Sequence, residues 1–384
     1  MINSLISHHN GSIENIRTLP ASYYTSEAVL NQEKRSLFYK HWQFVGHVAQ
    51  IPTPGDYMTV TIFDQNVILS RTKNNEIKAY YNVCPHRGHQ LVEEGSSGKK
   101  RAFTCPYHAW TYSLDGKLMG ARGVHDATGI KKSDICLFDI RVATLVDFIF
   151  INFDPHAQPF HEFYPGLEAQ LRQADPRIES YHPIYPENNG KEMRKSYWNA
   201  NWKVLIDNFL ECYHCETAHP SFSKKLCIPA TERQVHEHFT HEITPLSPEP
   251  EDWTHPINLE YDTAESHFWF LYPNTAIGRA AGVPNYYISR FDPLTAETTT
   301  RATIAIMPDW SDPDAPNRAK LRLEAGKQTG EEDQALCESV QKGMHQLAFA
   351  QGWYINDPDA HNISEHALQY FHDLYLRDMA GNRD

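Results

Sequence analysis

Asn201-Trp202-Lys203-Val204-Leu205-Ile206-Asp207-Asn208-Phe209-Leu210-Glu211-Cys212-Tyr213-His214-Cys215-Glu216-Thr217-Ala218-His219-Pro220 is the stretch around which the chain is organised. To about His214 it reads as a helix, because no Gly or Pro interrupts it and apolar residues recur every three to four positions. Asp207, Glu211 and His214 then stand at i, i+4 and i+7, a row of ionisable groups on one face of a mostly buried helix. His219 follows where Thr217 and Pro220 mark a helix end. Two imidazoles so spaced across a helix end can close on one metal ion. The alternative is a pair of satisfied, partly buried histidines, and this stretch alone does not choose.

Working outward, 384 residues suit two domains, or one large domain with an insertion, with a substantial core. No run of eighteen apolar residues is present, so no membrane span is expected. Residues 1–10 lack a basic start followed by an apolar core, so no secretory signal is expected. A net charge of -13 disfavours nucleic acid, whose phosphates attract the opposite sign. Seven cysteines in a chain of this length do not make a disulfide framework, and a cytoplasmic location is expected.

A short helix capped by Thr25 or Ser26 is predicted through about Tyr39. From Trp42 to Phe153 the pattern turns to short strands: Tyr57 to Phe63, Val67 to Arg71, a turn at Asn74-Asn75, and Ile77 to Val83. Asp115-Gly116 marks a hairpin, and strands follow at Leu137 to Val142 and Phe148 to Phe153. A polar, Pro-containing segment leads to a second domain with strand-like runs at Phe268 to Tyr272, Tyr286 to Phe291 and Thr299 to Met307. Two late helices are expected near Thr329 to Gln351 and His361 to Met379.

Inside the β-rich block stands Cys84-Pro85-His86-Arg87-Gly88-His89, answered by Cys105-Pro106-Tyr107-His108-Ala109-Trp110. The pattern is C-x-H-x18-C-x-x-H, two loops that each present one thiolate and one imidazole. Zinc accepts such donors but usually pairs Cys with Cys and His with His. The interleaved order fits a Rieske [2Fe-2S] cluster better, with two thiolates on one iron and two histidines on the other. Pro85, Gly88 and Pro106 suit tight loops whose N–H groups can face the sulfides.

The pair C-P-H-R-G and C-P-Y-H-A-W, followed by N-W-K-x-x-x-D-N-x-x-E-C-Y-H-x4-H-P, resembles the large (alpha) subunit of Rieske non-haem iron oxygenases, the ring-hydroxylating oxygenase family. The resemblance runs from about Leu19 to Leu376. It implies an α+β chain: an N-terminal helical segment (1–40), an antiparallel β Rieske domain (41–155), and a catalytic domain (156–384) whose antiparallel sheet is packed by helices in a helix-grip manner. It implies Cys84, His86, Cys105 and His108 as cluster ligands, and His214 and His219 as ligands of a mononuclear Fe(II). The family's third ligand is an Asp early in a late helix, where Glu331, Glu332 and Asp333 compete. With Leu336, Val340, Met344 and Leu347 as the buried stripe, Asp333 falls near its middle and Glu331 opposite. Glu332 completes a capping box with Thr329, so Asp333 is the expected ligand. Read without the family, Asp333 is a carboxylate placed favourably near a helix N-terminus.

The resemblance further implies a homotrimer in which Glu211 bridges His108 of one subunit to His214 of the next. Most family members carry Asp there; Glu in an E-C-Y-H-C context is similar to members acting on choline, carnitine and glycine betaine. Asp207 is expected as a carboxylate that orients a histidine, and Cys212 and Cys215 as packing residues rather than a redox pair. No GxGxxG or Walker loop is present, so electrons come from a partner flavin/iron-sulfur reductase. The expected activity is a terminal mono- or dioxygenase using O2 on a small substrate, a quaternary ammonium compound before an aromatic one. An electron carrier or zinc protein without oxygenase chemistry is the reading from another class. Trp253, Phe268, Trp269, Tyr272, Tyr286, Tyr287 and Phe291 are aromatic candidates for cation recognition.

Overall fold

The computed structural model describes residues 16–125, 129–184, 193–248, 262–282, 284–308, 315–357 and 363–381. Trp253, residues 1–15 and the start of the last expected helix lie outside them. Two larger antiparallel sheets organise the α+β chain. The first runs in spatial order Gln43–His47, Phe148–Asn152, Asp139–Leu145, Ile77–Tyr81, Gln65–Arg71, Asp56–Ile62, Ser97–Lys99. Its strands alternate between two cores: Val67 and Leu69 enter one, while Ile68 between them enters the other with Tyr57 and Tyr80. A three-stranded sheet (Phe103–Thr104, Thr111–Tyr112, Leu118–Gly120) extends the second of these cores. Its hairpin turns at Gly116, whose φ of 80° and position against Tyr80, with a hypothetical Cβ 2.7 Å from the ring, leave room for glycine alone.

The second sheet runs Tyr181–Ile184, Thr298–Pro308, Tyr286–Thr295, Thr275–Arg279, Glu265–Leu271, Phe239–Pro245, Glu232–Val235, with Arg194–Trp198 also paired to Thr298–Pro308. Strand period sorts its side chains. Phe270, Ala276 and Phe291 pack against the helices Trp202–Phe209 and His366–Met379 and against Cys337 of the helix Ala315–Gly343. Trp269, Leu271, Ile277 and Tyr286 face the opposite way, joining Phe44, Phe148 and Phe150 of the first sheet and the helix Leu167–Ala174. The sheet is therefore gripped by helices on one side and sealed by the first sheet on the other.

The N-terminal segment is tied in by a buried ion pair. Ser26 caps the helix Glu27–Glu33, its hydroxyl accepting from Val29 N at 3.4 Å. Glu33, fully buried at that helix's end, takes Lys203 Nζ at 2.5 Å, Trp202 Nε1 at 2.9 Å and Tyr375 OH at 2.7 Å.

Two helix expectations are corrected. The helix from Trp202 ends at Phe209 rather than near His214, because Glu211 captures the amides of Tyr213 and His214 and turns the chain. The late helix starts at Ala315, not Thr329, and ends at Gly343, so Thr329 and Glu332 form no capping box. Its buried side is Cys337 and Gln341, while Leu336, Val340 and Leu347 are exposed. Gln341 sets that phase, accepting from Asn201 N at 2.8 Å and donating to Tyr24 O at 3.2 Å.

Candidate metal centres

The two Cys-His loops are built alike. In the first, Gly88 N donates to Cys84 O at 2.9 Å with Gly88 at φ 76°; in the second, Ala109 N donates to Cys105 O at 2.9 Å with Ala109 at φ 55°. Each loop is closed again from outside, Cys84 N to His89 O and Cys105 N to Trp110 O, both at 2.8 Å. Ala109 holds a left-handed conformation that a Cβ disfavours, which marks the loop as tightly determined. The imidazoles of His86 and His108 lie 4.7 Å apart, and His86 stacks on Trp110 at 4.4 Å. Cys84 and Cys105 are both buried; the Cys84 thiol sits 3.2 Å from Tyr112 OH, and burial raises its pKa.

The second centre gathers three elements. His214 follows the turn after the helix Trp202–Phe209, His219 caps the short helix Cys215–Ala218, and Asp333 comes from the long helix Ala315–Gly343. One donor atom from each lies within 4.8 Å of the others. Asp333 Oδ1 is 2.9 Å from His219 Nε2 and 3.5 Å from His214 Nε2. The remaining ring nitrogens are each backed by a glutamate: Glu211 Oε1 meets His214 Nδ1 at 2.5 Å and Glu332 Oε2 meets His219 Nδ1 at 2.7 Å. Gln328 in turn holds Glu332 Oε1 at 3.0 Å. Such carboxylates fix the ring orientation and leave both Nε2 atoms free to face a common point.

Electrostatics agree with a cation site. Burial works against a charge on His214, but Asp333 and Glu211 outweigh it and raise its pKa to about 9. Burial likewise opposes ionisation of Asp333, and the two histidines overcome it and hold its pKa down to about 2. Asn208 completes the rim, its amide 3.5 Å from His214 Nε2.

Asp207 orients His372, at 3.0 Å, with Tyr24 OH donating to the same carboxylate at 2.7 Å. Two expectations differ from what is found. Cys212 and Cys215 are joined as a disulfide rather than packed as separate thiols. Glu332, expected at a helix cap, instead supports His219; the adjacency Glu332-Asp333, with one residue on each nitrogen of one ring, is the signal in the sequence that points to it. Of the aromatic candidates, Trp269 and Tyr286 point into the core shared with the first sheet, and Tyr272 and Phe291 into the helix-side core. Phe268 and Tyr287 are half-buried, and Phe268 meets Phe209 at 6.3 Å between ring centroids.

Residues 177–381 match the family model "Ring hydroxylating alpha subunit (catalytic domain)", and residues 41–131 match "Rieske [2Fe-2S] domain". The chain belongs to the ring-hydroxylating Rieske oxygenase family. It is 31% identical over 359 residues to the carnitine monooxygenase oxygenase subunit of Escherichia coli (strain K12), covering 93% of this chain and 92% of that one. It is 27% identical over 364 residues to the chloroplastic choline monooxygenase of Spinacia oleracea, covering 92% and 78%. Among solved structures it superposes on a quaternary ammonium Rieske monooxygenase with a TM-score of 0.81 at 30% identity, covering 94% and 95% of the two chains. As a member of this family the chain is an oxidoreductase that carries a Rieske cluster and a mononuclear iron and takes electrons from a partner reductase.

The residues fit both groups. His108 Nδ1 is buried with no hydrogen-bond partner among the described residues, the condition of a nitrogen turned to a metal. Two neutral imidazoles and one carboxylate are the donor set of non-haem Fe(II) oxygenases.

Proposed function

We propose that this chain is the terminal oxygenase of a system that oxidises a small quaternary ammonium compound, with Cys84, His86, Cys105 and His108 holding the cluster and His214, His219 and Asp333 the iron. The observation that carries the reading is Glu211 seated on His214 Nδ1 within E-C-Y-H-C, in a chain aligned along nine-tenths of its length with carnitine and choline monooxygenases. The cluster supplies single electrons and the iron activates O2. The polypeptide supplies the rest. Glu211 and Glu332 hold the imidazoles in the tautomer that leaves each Nε2 unprotonated. Asp333 contributes the charge that favours a divalent cation. Phe209, next to Asn208 in the chain, and Phe268, 6.3 Å from it between ring centroids, are the rings we assign to a cationic nitrogen, worth roughly 0.5–2 kcal/mol per well-placed ring.

Insertion of one oxygen atom into a C–H bond next to nitrogen gives a carbinolamine, which breaks into a carbonyl compound and an amine. The second oxygen atom leaves as water with two electrons and two protons. The electrons come from a reductase of the flavin/iron-sulfur type, and the working unit is a homotrimer in which Glu211 links one subunit's iron site to His108 of its neighbour. Exposed apolar residues support that assembly: Tyr107 and Met119 near the cluster loops, and Tyr213, Trp353 and Ile355 on the catalytic side. Among the described residues no helix is long and apolar enough to cross a membrane, and a cytoplasmic location is part of the proposal.

The test is turnover with a surrogate reductase on carnitine, glycine betaine, choline and benzoate, following O2 uptake and the carbonyl product. Turnover of at least one trimethylammonium compound, without turnover of benzoate, is expected. Hydroxylation of benzoate alone would reverse the substrate assignment.

A further inference from the structure

Two cysteines bracket the loop that carries His214, and nothing in the oxygenase reaction requires them. Cys212 and Cys215 are bonded with Cα atoms 4.9 Å apart and a separation of three residues, enclosing Tyr213 and His214. Between the helix that ends at Phe209 and the one that begins at Cys215, the loop is held by Glu211 on the amides of Tyr213 and His214 and by His214 O, which accepts from Thr217 N at 3.0 Å and Ala218 N at 2.8 Å. Cys215 is the pivot of the site. Its N–H donates back to Cys212 O at 3.2 Å, and its carbonyl accepts from His219 N at 2.9 Å and from Ser223 Oγ at 3.0 Å. The bond thus ties the turn bearing Glu211 and His214 to the segment bearing His219. Both cysteines are 5% exposed, in an apolar cluster with Leu226, Ile228 and Ala281, while Tyr213 between them is 52% exposed. The loop lies at the surface with its sulfurs turned inward.

We propose that Cys212 and Cys215 form a thiol–disulfide site that clamps the iron-binding loop, opened by dithiol reductants and closed by hydrogen peroxide. Opening takes two electrons and two protons from a dithiol, giving two protein thiols and leaving the reductant as its disulfide. Closing passes two electrons to hydrogen peroxide, which leaves as two waters. A bonded pair restricts the turn to conformers near the one that points His214 Nε2 at Asp333 and His219. A dithiol pair releases that restriction while leaving the three metal donors chemically unchanged. The consequence is looser retention of the mononuclear iron, with the Rieske cluster, held by other loops, unaffected.

The proposal rests on His214 as an iron ligand, and the experiment separates the two claims. Holoenzyme is unfolded in iodoacetamide without reductant and digested with trypsin. The peptide Val204 to Lys224, which contains Cys212 and Cys215 and no other cysteine, is expected unalkylated, and doubly alkylated when the holoenzyme is first treated with dithiothreitol. In parallel, release of mononuclear iron to a ferrous chelator is timed with and without dithiothreitol, with Rieske absorbance as the internal control. Reduced wild type is expected to release iron about tenfold faster, the scale on which ligand-supporting groups act, and Cys215→Ser to release fast in both conditions. Double alkylation without reductant, or equal release rates from closed and opened wild type, overturns the proposal even if the variant fails to fold. A wild-type protein that never holds a second iron instead overturns the iron assignment itself.

Discussion

Each imidazole of the second centre has one nitrogen toward Asp333 and the other on a glutamate, and replacing either glutamate tests that support. Replacing Glu332 by Ala is expected to lower affinity for the mononuclear iron roughly 10–100-fold, with Gln, which keeps an acceptor oxygen, restoring part of it; chelator competition measures both. Glu211→Ala removes the same kind of support from His214 and should lower iron affinity on that scale; with iron resupplied in excess it should still stop turnover, the outcome expected of the bridge proposed for Glu211. Single-turnover kinetics read this as a Rieske cluster that stays reduced in the presence of substrate and O2. Asp333 is legible through the family's order of motifs, although the helical phase that singles it out is not the one observed: Leu336 and Val340 are exposed and Gln341 is buried. Apolar periodicity misphases a helix whose buried side is one cysteine and one glutamine. Glu332 is hidden for a related reason, since a Thr-x-x-Glu pattern looks like a cap wherever a helix is assumed to start.

At the scale of elements, the expected strands are legible because half-buried sheets impose a period of two, and their ends differ from expectation by at most four residues. The helix boundaries are not, because Glu211 ends one helix by side-chain capture of two amides, a contact no local pattern announces. The buried pair Glu33–Lys203 fastens the N-terminal helix to the one that precedes the iron site. Glu33→Ala strands a buried ammonium and should cost about 3–5 kcal/mol, whereas Glu33→Leu with Lys203→Met should come much closer to wild type. Denaturant midpoints at constant slope measure the difference.

For the molecule as a whole, stability should fall on mild acidification. Burial holds His47 and His267 at a pKa of about 4 and His241 at about 3. Each is a base whose folded pKa lies below its ordinary 6.5, so between about pH 6.5 and 4 the unfolded chain binds protons that the folded chain refuses. The contribution of these three is therefore complete above pH 6.5 and is lost as pH drops toward 4. Each tenfold weakening of proton binding on folding corresponds to about 1.4 kcal/mol for each histidine. Thermal midpoints across this window should decline steeply, and His241→Phe, which can keep the stacking on Trp269 seen at 4.5 Å, should flatten the decline. The first sheet and the Cys-His loop pattern are readable because each rests on local rules, strand period and loop spacing, whereas the helix-packed second sheet comes through the resemblance. The pairing of His214 with His219 is suggested by their spacing, whereas Asp333 joins them only by resemblance, since 114 residues separate it from His219.

The central claim is that one polypeptide carries two distinct iron centres, and EPR tests it most directly. Anaerobic, dithionite-reduced wild type should give a Rieske signal and, on adding nitric oxide, a second signal from a ferrous nitrosyl, with about three irons and two acid-labile sulfides per chain. Asp333→Ala should keep the first signal and lose the second. A wild-type sample with no nitrosyl signal, or an Asp333→Ala sample that retains it in full, would contradict the account.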